Sequence, residues 1–183
     1  MNIAFHTLGC KLNFSETSFI ANNIKEKGFI EVDFNQSADI YVINTCSVTE
    51  NANKECQYLI RKVLKQNPNA KTIIMGCYAQ LKPQEIANIE GVDLVLGNNK
   101  KFELDKYLID IKKNRHPKIV RQEIEKFDQF KNSFSFGGRT RSFLKIQDGC
   151  NYKCTFCTIP LARGKSRSST IENIIQQINK LKA

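Results

Sequence analysis

Short apolar runs alternate along the chain with longer amphipathic stretches, and the two spacings predict different elements. Strand-like runs occupy 2–6 (NIAFH), 38–44 (ADIYVIN), 71–75 (KTIIM) and 92–96 (VDLVL), with a weaker one at 29–33 (FIEVD). The gaps carry helical spacing. One helix is predicted to follow Asn13, an N-cap candidate with Glu16 three residues on; Phe14, Ile20, Ala21 and Ile24 line its apolar face and Gly28 stops it. A second is predicted to start near Ser47, with Glu50 completing a capping box. It carries Ala52, Cys56, Leu59, Ile60 and Val63 before Asn67-Pro68 ends it. Shorter helices are expected over 83–89 and 101–113.

Alternating βα units of this length predict an α/β fold with a mostly parallel sheet flanked by helices. That unit spans residues 1–121. Within 114–141, a basic stretch, only IVRQ has strand character, and 122–141 is expected to be a basic linker. From 142 a new βα unit is predicted: SFLKIQ (142–147) as its strand and 170–182 as its helix. One such unit belongs to a larger assembly. No internal repeat or low-complexity tract is evident.

The 183 residues suffice for one core, or for one domain and part of another. With 41% hydrophobic and 25% charged residues, the composition is that of a soluble globular protein. No apolar run reaches membrane-spanning length. The N-terminus, MNIAFHTLGC, enters a strand with no signal-peptide pattern. A reducing cytoplasm is expected, where cysteines serve as metal ligands or catalytic groups more than as disulfides. The net charge of +10 is unevenly placed. Residues 1–99 hold nine Lys and Arg against ten Asp and Glu; residues 100–183 hold 19 against eight. A basic half suits a polyanion such as RNA, or is a solvated face that keeps the chain soluble.

The seven cysteines sort by position. In DGCNYKCTFCTIP, Cys150, Cys154 and Cys157 stand together with spacers of three and two. A closed zinc site wants four ligands, and a disulfide uses two, so three thiols point to a metal centre with one position open. Zinc here would need an unseen fourth ligand; the two histidines, His6 and His116, are far off in sequence. Cys10, Cys46 and Cys77 each follow a predicted strand. In a parallel sheet the strands' carboxyl ends share one edge, where ligand sites form, so three loops bring three thiols together there. Each of these can instead be a small buried hydrophobe. Cys56, on a helix stripe, is expected to be a core residue. Two trios, each one short of the usual four thiolates, suggest two iron–sulfur clusters with one open iron each.

The pattern Cys150-x3-Cys154-x2-Cys157, with Phe156 before the last cysteine, resembles the cluster loop of radical S-adenosylmethionine (SAM) enzymes. TLGCKLN, NTCSVT and MGCYAQ resemble the three ligand segments of the methylthiotransferase N-terminal domain. TLGCKLNFSET, GCYAQLKPQEI and GVDLVLGNNKK are most similar to the branch acting on N6-threonylcarbamoyladenosine in tRNA. The resemblance covers essentially the whole chain. It implies that Cys150, Cys154 and Cys157 hold a [4Fe–4S] cluster whose open iron chelates SAM, and that reduction cleaves SAM to a deoxyadenosyl radical. It implies a second [4Fe–4S] cluster on Cys10, Cys46 and Cys77 that carries or donates sulfur. A second SAM would give the methyl group, producing 2-methylthio-N6-threonylcarbamoyladenosine beside the anticodon. Implied partners are tRNA and an electron donor such as flavodoxin or ferredoxin, with no membrane. Thiolate cages suit iron and exclude hard cations.

Other residues have paired expectations. Asn13 and Asn44 either tune the cluster by hydrogen bonds or cap local turns. Arg163, Lys165 and Arg167 either steer RNA phosphate or the SAM carboxylate, or form a solvated basic turn. Gly149 is expected to let the loop turn tightly, and Tyr152 and Phe156 to pack around the cluster. Members of the resembled family continue well past the equivalent of residue 183 through a (β/α) barrel of about 250 residues. One βα unit cannot close it, so residues 142–183 read as the start of a truncated radical SAM domain with an exposed apolar helix face. The chain alone is expected to show at most weak SAM cleavage. Rival functions are methylthiolation of isopentenyladenosine in tRNA or of a ribosomal protein. The ribosomal-protein branch has proline after its first cysteine, where this chain has Lys11. A non-catalytic Fe–S, zinc or RNA-binding module is a rival of another class. A flavodoxin-like nucleotide binder is disfavoured, because no Gly-rich phosphate loop follows a strand.

Overall fold

A computed structural model describes residues 1–46, 50–109, 111, 117–135 and 141–182. Six strands form one wholly parallel sheet: β1 (Asn2–Thr7), β2 (Ile30–Val32), β3 (Ile40–Thr45), β4 (Lys71–Gly76), β5 (Leu94–Leu96) and β6 (Lys118–Val120), in the order β2-β1-β3-β4-β5-β6. The register runs Thr7 opposite Asn44 and Thr45 opposite Gly76, so β1, β3 and β4 end together.

All six residues of β3 are buried, as a central parallel strand with both faces covered must be. Its alternate residues feed two cores. Tyr41 and Ile43 join Cys56, Ile60, Val63, Tyr78 and Ile86 on the side of α2 (Glu50–Gln66), α3 (Cys77–Leu81) and α4 (Pro83–Ala87). Ile40 and Val42 join Ile20, Ile24, Met75, Leu104 and Leu108 on the side of α1 (Lys11–Glu26) and α5 (Leu104–Leu108). Cys56 is fully buried, as its helix stripe predicts.

Several predicted boundaries shift. Helix α1 begins at Lys11 with Cys10 at its N-cap, so Asn13 is an interior residue and not the cap. A better use of its amide outweighs capping: Asn13 Nδ2 donates to the carbonyls of Leu8 (3.0 Å) and Thr45 (3.1 Å). Ser47 lies outside the described residues, so the capping box at Glu50 is not described. The helix expected over 101–113 is a 3-10 turn (Lys100–Glu103) followed by α5, ending at Leu108; 110, 112 and 113 lie outside the described residues.

SFLKIQ does not form the predicted strand. Leu144 makes a single antiparallel bridge to Phe134, and only β7 (Gln147–Asp148) is a strand, paired antiparallel with β8 (Arg167–Ser168). A parallel barrel strand needs parallel neighbours, and none flanks this segment among the described residues. The cysteine loop follows β7, then come α6 (Ile159–Arg163), β8 and α7 (Ile171–Lys182). On α7, Ile171, Ile175 and Ile178 are exposed at helical spacing, the apolar face expected of this helix.

Candidate iron–sulfur sites at the sheet edge

Each strand end hands over to a turn that places one thiol. After β1, Leu8 and Gly9 lead to Cys10 at the start of α1; Cys46 directly follows β3; Cys77 directly follows β4 as the first residue of α3. The three therefore lie on one edge, at the ends of three neighbouring strands. Cys46 and Cys77 are each 8% exposed, and Cys10 is exposed.

Two asparagines fix these turns. Asn13 ties the segments before Cys10 and Cys46 together through Leu8 and Thr45, and accepts a hydrogen bond from Arg163 at 2.7 Å. Asn44 donates to the Asn13 carbonyl (3.1 Å) and to Thr17 Oγ1 (2.9 Å). Both are fully buried, and their hydrogen bonds to backbone carbonyls fit the turn-capping role expected of them. Gly9, at φ +96°, brings backbone against Cys46: a Cβ there would stand 2.5 Å from Cys46 Cβ and 2.8 Å from its Sγ. Only glycine allows that approach.

Cys150, Cys154 and Cys157 occupy a loop without helix or strand; Cys154 is exposed and the other two are half-buried. Cys150 N–H donates to the Gly164 carbonyl (3.1 Å), and Cys157 N–H donates to the Cys154 carbonyl (3.1 Å). Gly149 has φ +72°, and a Cβ there would stand 2.2 Å from the Lys165 carbonyl oxygen, so the tight turn expected of it is present. Gly149→Ala is expected to cost at least about 1–2 kcal/mol from the left-handed backbone alone. Faster hydrogen exchange at the Cys150 amide would report it. Tyr152 and Phe156 are exposed, 78% and 89%, rather than packed inward. A cleft of about 560 Å³ opens beside the loop, lined by Cys150, Tyr152, Lys153, Ile124, Phe127 and Lys165.

Arg163 is neither a solvated basic group nor free to steer RNA phosphate: it is 5% exposed and sits in a buried charge cluster. Its guanidinium donates to both Glu16 carboxylate oxygens, at 3.0 Å each, and to Asp148 at 2.9 Å. Lys101 and Lys145 reach the same Glu16 at 2.5 and 2.9 Å. Burial alone would raise the Glu16 carboxyl, but Arg163, Lys101 and Lys145 together outweigh it and hold it well below the carboxylate range. For Lys101, burial prevails over Glu16 and lowers the ammonium. For Arg163, burial is overcome by Glu16, Cys77 and Asp148, which keep it charged. Arg167 donates to the Arg163 and Lys165 carbonyls, closing the turn, and Lys165 is exposed.

Sequence spacing pointed to the thiols and missed what surrounds them. In sequence Glu16 reads only as a capping partner, although it is in helical phase with Ile20 and Ile24 and so faces inward. Asn98 was missed too. It stands just beyond β5 on the edge that carries the cysteines, in GNNK, where the strand-end logic applies to any polar side chain. Its amide donates to Cys77 Sγ (3.4 Å) and to the Ala162 carbonyl (2.8 Å). Helix α6 packs against α3, so the two cysteine-bearing regions meet through these side chains.

Among the described residues, no three Cys, His, Asp or Glu side chains already converge on a point as a finished metal cage. Preformed cages are not required, because metal–sulfur bonding supplies the final convergence. The donor chemistry fits iron–sulfur ligation: three thiols at adjoining strand ends, a glycine without which the backbone could not approach, and an amide N–H on one sulfur.

A parallel α/β sheet that presents thiols along its carboxyl edge defines a ligand-presenting domain of the doubly wound kind. Residues 2–97 match the uncharacterized protein family UPF0004, and the chain belongs to that family. Its relatives carry more specific names. It is 43% identical over 183 residues to the threonylcarbamoyladenosine tRNA methylthiotransferase MtaB of Aquifex aeolicus (strain VF5), covering 99% of this chain and 45% of that protein. It is 44% identical over 181 residues to the protein of the same name in Bacillus subtilis (strain 168), covering 98% and 40%. The tRNA-2-methylthio-N(6)-dimethylallyladenosine synthase of Christiangramia forsetii is more distant, 28% identical over 180 residues, covering 96% and 37%. The chain thus spans less than half the length of these relatives. Among the described residues, no helix is long and apolar enough to cross a membrane.

Proposed function

We propose that this chain carries the two iron–sulfur sites of a radical SAM tRNA methylthiotransferase acting at C2 of N6-threonylcarbamoyladenosine beside the anticodon. The observation that carries the proposal is the placement of Cys10, Cys46 and Cys77 at the ends of three adjoining parallel strands. It is joined by the higher identity to relatives named for threonylcarbamoyladenosine than to those named for dimethylallyladenosine. Residues 1–121 form the auxiliary domain in this reading, 122–141 the connection, and 142–183 the opening of the SAM domain.

Cys150, Cys154 and Cys157 would hold one [4Fe–4S] cluster, and Cys10, Cys46 and Cys77 the other. When bound, the first supplies the electron for reductive cleavage of SAM, and the second a site for sulfur. The chain's own residues do the positioning. Gly149 and the Gly164 carbonyl fix Cys150. The neighbouring cleft has the volume of a small-molecule site, with Lys153 and Lys165 at its rim for an anionic group. Asn13 and Asn44 hold the turns that present Cys10 and Cys46. The basic second half supplies attraction for tRNA. A small electron carrier such as flavodoxin or ferredoxin would deliver the electron, in the cytoplasm.

The test is nucleoside mass analysis of tRNA from a strain lacking the gene. Loss of 2-methylthio-N6-threonylcarbamoyladenosine, with its unthiolated precursor accumulating, is the expected result. Loss of the 2-methylthio-isopentenyl nucleoside instead, or no change, overturns the assignment. Anaerobically purified protein is expected to hold about eight irons per chain, two four-iron clusters; a single zinc would end the radical reading.

A further inference from the structure

We infer that Asn98 is a positioning residue for Cys77, donating an N–H···S hydrogen bond that holds the sulfur and raises the reduction potential of the cluster bound there. The inference rests on the ligand role proposed for Cys77.

The amide of Asn98 has no freedom of orientation. Its Oδ1 accepts from Lys101 Nζ at 2.9 Å, and an ammonium can only donate, so this atom must be the oxygen. The other end is then the NH2 group, with one hydrogen bond to the Ala162 carbonyl and one to Cys77 Sγ. The backbone is fixed as well: Asn98 N–H donates to Gln80 Oε1 at 3.1 Å, and Gln80 belongs to α3, the helix that Cys77 begins. Asn98 is 5% exposed, so water does not compete for its amide.

Lys101 is wholly buried and lies behind this amide, bonded to Glu16 on its other side. A chain of hydrogen bonds thus runs from the cations around Glu16, through Asn98, to one sulfur, and each bond polarises the next. Reduction adds negative charge to a cluster. A donor aimed at a ligating sulfur in a dry site stabilises that charge, and such hydrogen bonds help to set the potentials of these centres. The same amide holds α6 through Ala162, so Cys77 and the turn that fixes Cys150 share one anchor.

The experiment uses the full-length enzyme with both clusters reconstituted, and compares Asn98→Asp and Asn98→Ala with the unaltered protein. Aspartate keeps the shape and the bond to Lys101 but cannot donate to sulfur when ionised. Three quantities are read: iron per chain, the melting temperature of the iron-free protein, because bound clusters themselves add stability, and the potential of the second cluster by an EPR-monitored titration, recorded in a Cys150→Ala background that removes the first. With iron retained, both substitutions are expected to lower the ratio of reduced to oxidised cluster at fixed potential by about three- to tenfold; tenfold is about 59 mV for one electron. Loss of iron with an unchanged melting temperature also supports the inference, because the bond is then needed to hold Cys77. An unchanged potential with iron retained overturns it, as does joint loss of iron and melting stability, which would make Asn98 merely structural. If the unaltered protein itself lacks the second cluster's iron, the ligand reading fails, whatever Asn98 does.

Discussion

Glu16→Gln is expected to destabilise the fold by about 3–5 kcal/mol, the usual cost of removing one partner from a buried ion cluster. Glu16 and Lys101 are wholly buried, Lys145 is 2% exposed and Arg163 5%, so none of the cations can turn to water when the carboxylate goes. Glutamine keeps the volume but presents an NH2 group towards the cations. Asp148 still holds Arg163 at 2.9 Å and Lys145 at 3.2 Å, which limits the loss. Among the described residues, Lys101 keeps the Asn98 oxygen and cation–π contact with Phe102. For a chain of this length the melting temperature should fall by roughly 6–20 °C, at about 2–4 °C per kcal/mol.

The effect carries a pH signature. The folded Glu16 carboxyl is held well below its ordinary value, so in acid the unfolded chain takes up the proton first. Its contribution to stability is complete above the unfolded value of about 4.3, and is lost as pH falls from there towards the depressed folded value. Urea unfolding of the two proteins should therefore differ by the full amount at neutral pH, and by progressively less below about pH 4. A gap under about 1 kcal/mol at neutral pH, the range of a surface pair, would show that Glu16 is not the hub of the cluster.

Cys77→Ala and Cys56→Ala should separate sharply in iron content, although both side chains are buried. With two clusters present, Cys77→Ala is expected to reduce about eight irons per chain to about four, whereas Cys56→Ala keeps all of them. The difference lies in the surroundings. Cys56 is packed among Leu59, Ile60 and Ile74, and burial pushes its thiol up to about 12, so it is a neutral core hydrophobe at physiological pH. Cys77 stands at a strand end with an amide donor on its sulfur and the Arg163 and Lys101 charges nearby. Cys56→Ala should cost only about 0.5–1.5 kcal/mol, the scale of one buried methyl group. Equal iron loss in the two variants would contradict this division of the cysteines.

Much of the architecture was legible because its causes are local. Period-two and continuous apolar runs gave the five main-sheet strands and IVRQ its short sixth, to within a few residues. Parallel pairing then put Cys10, Cys46 and Cys77 on one edge without any knowledge of side-chain contacts. SFLKIQ failed because strand propensity supplies no neighbour to pair with. Asn13 and Glu16 failed as a capping pair because both side chains are claimed by distant groups.

The sequence by itself determined the sheet, its helical cover and the edge to which the three separate thiols come, since spacing and propensity act over a few residues. Tertiary structure alone decided that part of the basic half is not surface. Lys101, Lys145 and Arg163 stand 85, 129 and 147 residues from the carboxylate that neutralises them. No periodicity reaches that far. Only the packing of α6, the GNNK turn and the segment carrying Lys145 around Glu16 of α1 removes those charges from water and makes Glu16 their shared partner.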